Sequence, residues 1–259
     1  MGVALVTGGT SGIGAAFARL LAARGYDLVL VARSTDRLEE MATELRAVGR
    51  SVELFPADLA DREAVARVAV RLTDPERPID LLVNNAGFGM HASPLDPDVS
   101  EFDRASEVMC RSVFVLSGAA ARGMVERGSG SIINVSSTAG FLTMGTYSSI
   151  KAWVTSYTEG LAVELRGTGV SVMALCPGWV RTEFHERAGI RVSSIPNFMW
   201  LDTEQLVSAA LRDADRGKVI SIPTLRYRAL IGLAGLAPKR AIRSFSGAIS
   251  SSRRKPVAR

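Results

Sequence analysis

Hydrophobic positions along the chain alternate between two periods. Val3–Thr7, Asp27–Ala32, Ser51–Pro56, Ile79–Asn84, Ser131–Val135, Val170–Leu175 and Val219–Ile222 are short, nearly continuous apolar runs of strand length. Between them lie longer stretches with apolar residues three and four apart. These are Ile13–Arg24, Thr35–Val48, Asp61–Leu72, Glu101–Arg127, Tyr147–Arg166 and a helix capped by Asp202 or Thr203 that runs to Arg216. Gly25, Gly49 and Gly167 close three of these helices, as glycine commonly does. Strands separated by helices of this length imply βαβ units and a parallel sheet. Runs such as LVLVA and LLVNN are apolar on both faces, as a sheet covered by helices on both sides requires. The expected fold is α/β: one doubly wound parallel sheet in a single domain, without internal repeat or linker.

The turn after the first strand carries the first chemical signal. Thr7-Gly8-Gly9-Thr10-Ser11-Gly12-Ile13-Gly14 joins that strand to the first helix. Glycine lets a backbone turn tightly and approach a pyrophosphate, and a helix N-terminus offers free N–H groups with a positive dipole end. Gly8, Thr10, Ser11, Gly12, Ile13 and Gly14 are therefore expected to bind a dinucleotide. The second strand ends Val31-Ala32-Arg33-Ser34. An NAD site would place an acidic side chain here for the ribose 2′-hydroxyl. Ala32 has no acceptor, and Arg33 has the opposite charge. A guanidinium can clamp a 2′-phosphate through charge-assisted bonds worth roughly 1.5–3 kcal/mol each, so the expected cofactor is NADP(H). Asp58 and Leu59 follow the third strand and can contact the adenine; Asp58 can equally cap the next helix. Asn84-Asn85-Ala86-Gly87 ends the fourth strand, so Asn85, Ala86 and Gly87 would line the cofactor cleft at the carboxyl edge of the sheet.

Tyr147-Ser148-Ser149-Ile150-Lys151 puts a phenol and an ammonium one turn apart on a helix face. A nearby ammonium lowers a phenol pKa from about 10 toward neutrality. The tyrosine could then exchange a proton with a substrate oxygen while hydride moves, a contribution of roughly 10²–10⁴ in rate. Asn134-Val135-Ser136-Ser137 ends the fifth strand, and a serine hydroxyl there can hold the substrate oxygen. Ser137 lies ten residues before Tyr147.

This ordered set, completed by Pro177-Gly178-Trp179-Val180-Arg181-Thr182, resembles the short-chain dehydrogenase/reductase family. The resemblance runs to about residue 185 by motif and to about 222 by architecture. It implies a Rossmann fold of seven parallel strands and NADP(H)-linked hydride transfer to or from a carbonyl or alcohol. It implies Tyr147 as acid/base, Lys151 on the nicotinamide ribose while tuning Tyr147, and Ser137 orienting the substrate. Pro177, Gly178, Val180 and Thr182 would frame the nicotinamide end. Pairing through the helices near 101–127 and 147–166 would give a homodimer or homotetramer. Two positions depart from the pattern. Met109 stands where the family often carries an Asn that holds a relay water, and a thioether cannot replace an amide's donor and acceptor. The interval from Ser137 to Tyr147 is about three residues shorter than usual, so the loop Thr138–Thr146 must be tight, and Ser136 is the alternative to Ser137. If Met109 breaks the relay, the alternative function is a catalytically impaired dinucleotide-binding sensor or scaffold.

Composition narrows the remaining classes. With 47 % apolar and 22 % charged residues in a chain of 259, a large core is available and general disorder is excluded. Two distant cysteines and two histidines, His91 and His185, fit neither a structural zinc site nor a Ser–His–Asp hydrolase, so no metal is expected. The start lacks a basic leader, and no apolar run approaches the roughly 20 residues of a membrane span. The expected location is cytoplasmic, with the membrane surface open as a peripheral site. The net charge of +5 is divided: residues 216–259 carry 11 basic and no acidic residues, whereas residues 1–215 carry 20 basic and 26 acidic. Charge without a binding motif or interleaved aromatics does not indicate nucleic acid.

Residues 1–224 are expected to form the catalytic domain, with a substrate lid at about 183–201. The lid carries Phe184, His185, Ile190, Ile195, Phe198, Met199 and Trp200, which suit a bulky apolar substrate or packing against the core or a partner. His185 is expected to be a lid residue and His91 to be solvated. Residues 225–259 are apolar and basic. They could lie on an anionic membrane or pack on the domain or a subunit, and their last dozen residues are expected to be disordered.

Overall fold

The computed structural model describes residues 2–90, 92–182, 196–236 and 240. Seven strands form one parallel sheet: β1 (Val3–Thr7), β2 (Asp27–Ala32), β3 (Val52–Pro56), β4 (Leu81–Asn84), β5 (Gly130–Val135), β6 (Val170–Leu175) and β7 (Ile220–Ser221). Their order is β3-β2-β1-β4-β5-β6-β7. All pairings are parallel, with Thr7 opposite Val31, Asn84 opposite Asn134 and Val135 opposite Leu175. The doubly wound α/β expectation is met, and element boundaries fall within two residues of those read from periodicity.

Two-sided burial follows from strand alternation. Leu5 on β1 points into one layer with Val65, Val68, Leu116 and Ala120. Its neighbours Ala4 and Val6 point into the other with Phe17, Leu21, Val207 and Leu211. Helices α1 (Gly12–Ala23), α2 (Thr35–Ala47) and α7 (Thr203–Asp215) cover one face. Helices α3 (Arg62–Leu72), α5 (Ser112–Arg127) and α6 (Thr146–Glu164) cover the other. Asp202 caps α7 by accepting from the N–H groups of Glu204 and Gln205, both at 3.0 Å.

Three features were not legible from the pattern. The predicted helix 101–127 is interrupted: α4 (Ser100–Ser106) passes through a π-helical turn at Glu107–Arg111 before α5. The Ser112 hydroxyl donates to the Val108 carbonyl at 2.6 Å inside this turn. Ser100–Arg127 is also long and apolar enough to cross a membrane, which a search for continuous apolar runs misses. It is a core helix here, with Leu116, Ala119, Ala120 and Met124 buried. Finally, the start of the basic tail forms a helix, α8 (Leu225–Leu236), packed on the domain through Tyr227 and Ile231.

Candidate active site

The strand order reverses between β1 and β4, so a crevice opens at the carboxyl ends of these strands. Residues 8–12 turn above it. Gly8 (φ +66°) and Gly12 (φ +52°) occupy the left-handed region that favours glycine. Ser11 precedes α1 with an extended backbone and makes no side-chain cap bond, and no acid lies in the first turn. The leading N–H groups of α1 are thus left to an anion.

The turn is bolted to the end of β4. The Asn85 amide donates to the carbonyls of Thr7 (2.9 Å) and Gly8 (3.2 Å). The Thr7 hydroxyl accepts from the N–H groups of Asn85 (2.9 Å) and Ala86 (3.0 Å). A Cβ on Gly14 would lie 2.1 Å from the Gly8 carbonyl oxygen and 2.4 Å from Asn85 Nδ2. One on Gly12 would lie 3.2 Å from the Thr182 methyl. Three loops therefore close on a glycine-walled space with free helix N–H donors, and these residues fit a dinucleotide pyrophosphate.

Arg33 leaves β2 exposed, with no hydrogen bond or ion pair among the described residues. Asp58 accepts from the Ala60 N–H at 3.0 Å and pairs with Arg104 Nη2 at 2.7 Å. Partial desolvation opposes ionisation, but the Ala60 N–H, Arg104 and the charge of Arg33 hold this carboxyl below its usual range. The capping alternative for Asp58 fails. Asp61 is the cap of α3, accepting from Glu63 N–H at 2.9 Å, because it directly precedes the helix. Leu59 is buried in the core beneath.

Ser137, Tyr147 and Lys151 are brought together. Buried amides fix the strand ends first: Asn84 Nδ2 donates to Ser117 (3.0 Å) and Asn134 (2.9 Å), and Asn134 donates to Thr158 (3.0 Å). Ser136 is committed to this scaffold, donating to the Lys151 carbonyl at 2.7 Å. Ser137 caps a 3₁₀ turn at Thr138–Phe141 and hydrogen-bonds the Tyr147 hydroxyl. That turn presses against α6, where a Cβ on Gly140 would lie 2.9 Å from Ala152 N, and so takes up the short interval to Tyr147.

The expected lowering of the Tyr147 pKa is not found. Burial pushes the phenol above its usual range, and the Ser137 bond offsets this only in part. Lys151 is buried, with Nζ donating to the Val135 carbonyl at 2.9 Å and lying 5.8 Å from the Tyr147 ring centroid. Its ammonium is thus aimed at the backbone rather than at the phenol. Desolvation lowers the Lys151 pKa to about 8, against the opposing influence of Cys110 and Cys176. Met109 is buried in the π-helical turn, and a Cβ on Gly87 would lie 3.1 Å from its Sδ and 3.8 Å from Lys151 Nζ. The thioether therefore occupies space beside the lysine.

Pro177 accepts from the Thr138 N–H (2.9 Å) and hydroxyl (3.2 Å). Gly178 lies against the Tyr227 ring, where a Cβ would fall 2.0 Å from Cζ. The Tyr227 hydroxyl accepts from Trp179 N–H (3.0 Å) and donates to the Met199 carbonyl (2.8 Å). Tyr227 was missed by sequence reasoning, since no local motif joins it to residues 178 and 199. Val180 pairs with Leu201, so the two stems of the expected lid are joined at their base. Phe198 is exposed and Met199 half-buried, while Trp200 packs inward, edge-on to Trp179 at 6.2 Å. His91, Phe184, His185, Ile190 and Ile195 lie outside the described residues. No cluster of metal-ligating side chains occurs among the described residues.

A sequence model of the short chain dehydrogenase family matches residues 2–191. Glycine betaine reductase ATRR of Emericella nidulans is 35 % identical over 184 residues, which are 70 % of this chain but only 14 % of that protein. A short-chain dehydrogenase from Sphingobium yanoikuyae, solved in complex with NADPH, is 35 % identical, with TM-score 0.82 over 100 % of this chain and 99 % of that one. The bulky-bulky ketone specific alcohol dehydrogenase of Comamonas testosteroni is 30 % identical, with TM-score 0.78 over 100 % and 97 %. The cradle, the Ser137–Tyr147–Lys151 group and these likenesses agree: the chain belongs to the short-chain dehydrogenase family of oxidoreductases.

Proposed function

We propose that the protein transfers hydride between NADP(H) and a carbonyl or alcohol carbon of a bulky apolar substrate. The observation that carries this reading is the meeting of Ser137, Tyr147 and Lys151 beside the glycine cradle. Gly8, Thr10, Ser11, Gly12, Ile13 and Gly14 would hold the pyrophosphate, with Asn85, Ala86 and Gly87 as the facing wall. Asp58 and Leu59 would meet the adenine. Pro177, Gly178, Val180 and Thr182 would bound the nicotinamide, which when bound supplies or accepts hydride. Arg33, which has no hydrogen bond or ion pair among the described residues, supports the 2′-phosphate form, as does the neighbour solved with NADPH. The ketone-specific neighbour and the exposed Phe198 support a bulky apolar substrate.

Reduction of a carbonyl needs a hydride at carbon and a proton at oxygen. Tyr147 holds its proton, as burial requires, so it is set to act as the acid. Ser137 holds the substrate oxygen by hydrogen bonding. Lys151, held at the Val135 carbonyl with its pKa lowered to about 8, would bind the ribose. Met109 favours a second reading, a dinucleotide-binding sensor whose proton relay is impaired. An exposed aromatic face, Phe114 with Tyr157 stacked on Trp153 at 5.0 Å, supports self-association through α5 and α6. The free thiols of Cys110 and Cys176 suit a reducing, cytoplasmic setting.

Titration with NADPH and separately NADH, followed by cofactor fluorescence, tests the reading without a known substrate. Tight NADPH and weak NADH binding is expected. Equal binding would remove the role of Arg33, and no binding would refute the dinucleotide site.

A further inference from the structure

Helix α8 is apolar on two opposite sides. Its inner side seats Tyr227 and Ile231 on the domain, and Arg228 Nε donates to the Ile222 carbonyl at 2.7 Å. Arg226 donates to the Phe198 and Trp200 carbonyls, which folds this arginine back toward the body. The outer side carries Leu225 (79 % exposed), Leu230 (41 %), Leu233 (68 %) and Leu236 (86 %). At about 100° per residue, these four leucines fall within an arc of about 140°. Such a face suits an interface, because large contiguous apolar patches are uncommon on monomer surfaces.

We propose that this face docks on an anionic bilayer surface. Charge selects the occupant. Residues 216–259 carry 11 basic and no acidic residues, while residues 1–215 carry 26 acidic against 20 basic. An anionic surface would attract the α8 end and repel the remainder, which orients the leucines toward the lipid. A symmetric contact between two copies would instead oppose two such basic segments, and like charges disfavour it. Exposed leucines with lysine and arginine in the adjoining sequence combine apolar burial with attraction to anionic lipid, the two contributions to interfacial binding. Tyr227, on the inner side of the same helix, bounds the nicotinamide-end loop, so docking would bring the substrate end near the lipid. That last consequence rests on the proposed apolar substrate; the docking itself does not.

Flotation of the purified full-length chain with vesicles tests the surface independently of cofactor and turnover. Neutral phosphatidylcholine vesicles are compared with vesicles containing about one-third phosphatidylglycerol, at low salt and at about 0.5 M salt. Binding is expected to the anionic vesicles only, and to fall with salt. A Leu233→Ser/Leu236→Ser variant keeps all charge and should bind at least tenfold less, with an unchanged melting midpoint. An Arg253→Gln/Arg254→Gln/Lys255→Gln variant should lower binding while the leucines stay intact. No flotation at low salt, or equal flotation with neutral vesicles, would overturn the proposal. So would undiminished flotation of the leucine variant. An assembly that forms without vesicles and is lost in the leucine variant would assign the face to a second copy instead.

Discussion

Replacing Gly14 with Ala sets two calculable effects against each other. Gly14 lies in the first turn of α1 and needs no left-handed backbone. In an open helical site this change would stabilise the protein by up to about 1 kcal/mol. Here the new Cβ would fall 2.1 Å from the Gly8 oxygen and 2.4 Å from Asn85 Nδ2. Ordinary contacts are about 3.5 Å, so the loop must retreat by about 1 Å or more. Both obstructing atoms belong to the bond that joins the turn to the end of β4. Overpacking of this kind costs about 1–3 kcal/mol, which outweighs the helical gain. With the full helical gain subtracted, the expected net loss is about 0–2 kcal/mol, centred on about 1 kcal/mol, or a melting midpoint lower by roughly 2–4 °C for a domain of this size. The displaced loop should also weaken NADPH binding at least tenfold, about 1.4 kcal/mol. A thermal melt and a fluorescence titration on the same preparation read both effects. A raised midpoint with unaltered NADPH affinity would refute the cradle geometry.

Four further outcomes are expected. Tyr147→Phe should lower ketone turnover by roughly 10²–10⁴ with NADPH affinity nearly unchanged; retained turnover would remove the acid role. Arg33→Asp should weaken NADPH by roughly 10- to 100-fold and favour NADH, and an unaltered affinity ratio would sink the 2′-phosphate argument. Met109→Asn should raise turnover if the relay is impaired, and an unchanged rate would mean that another group carries the proton. Lys151→Met tests a pH effect. The folded Lys151 pKa of about 8 lies below the usual 10.5, so from pH 8 upward the unfolded chain holds the extra proton and stability rises with pH. Above pH 9, Cys110 and Cys176 act oppositely, since burial raises both to about 11. Wild-type stability minus that of Lys151→Met, measured by urea unfolding, should therefore rise from pH 8 to 9. A flat difference would contradict the desolvated ammonium.

Local chemistry was legible in the sequence. Strand and helix positions follow from hydrophobic period, and the glycine turn from its place between β1 and α1. The four-residue spacing of Tyr147 and Lys151 fixes a shared helix face regardless of the rest of the molecule. The sheet order needed the tertiary structure, because parallel strands meet through crossovers of many residues. So did the difference between Ser136 and Ser137: the Lys151 carbonyl captures the first of the two adjacent hydroxyls, which supports Ser137 as the proposed substrate-holding group. The upward pKa of Tyr147 reverses the expectation from spacing, since Lys151 is drawn to the Val135 carbonyl and burial outweighs the lowering influence of Ser137. Periodicity could not show the π-helical turn that brings Met109 against Gly87 and Lys151. Nor could it show which side of α8 is covered, because leucines and the Tyr227–Ile231 pair are alike apolar. The sequence alone determined the periods, the motifs and the charge division, since these depend on neighbours along the chain. Only the tertiary structure decided which polar groups were desolvated or already paired, because those partners come from distant segments.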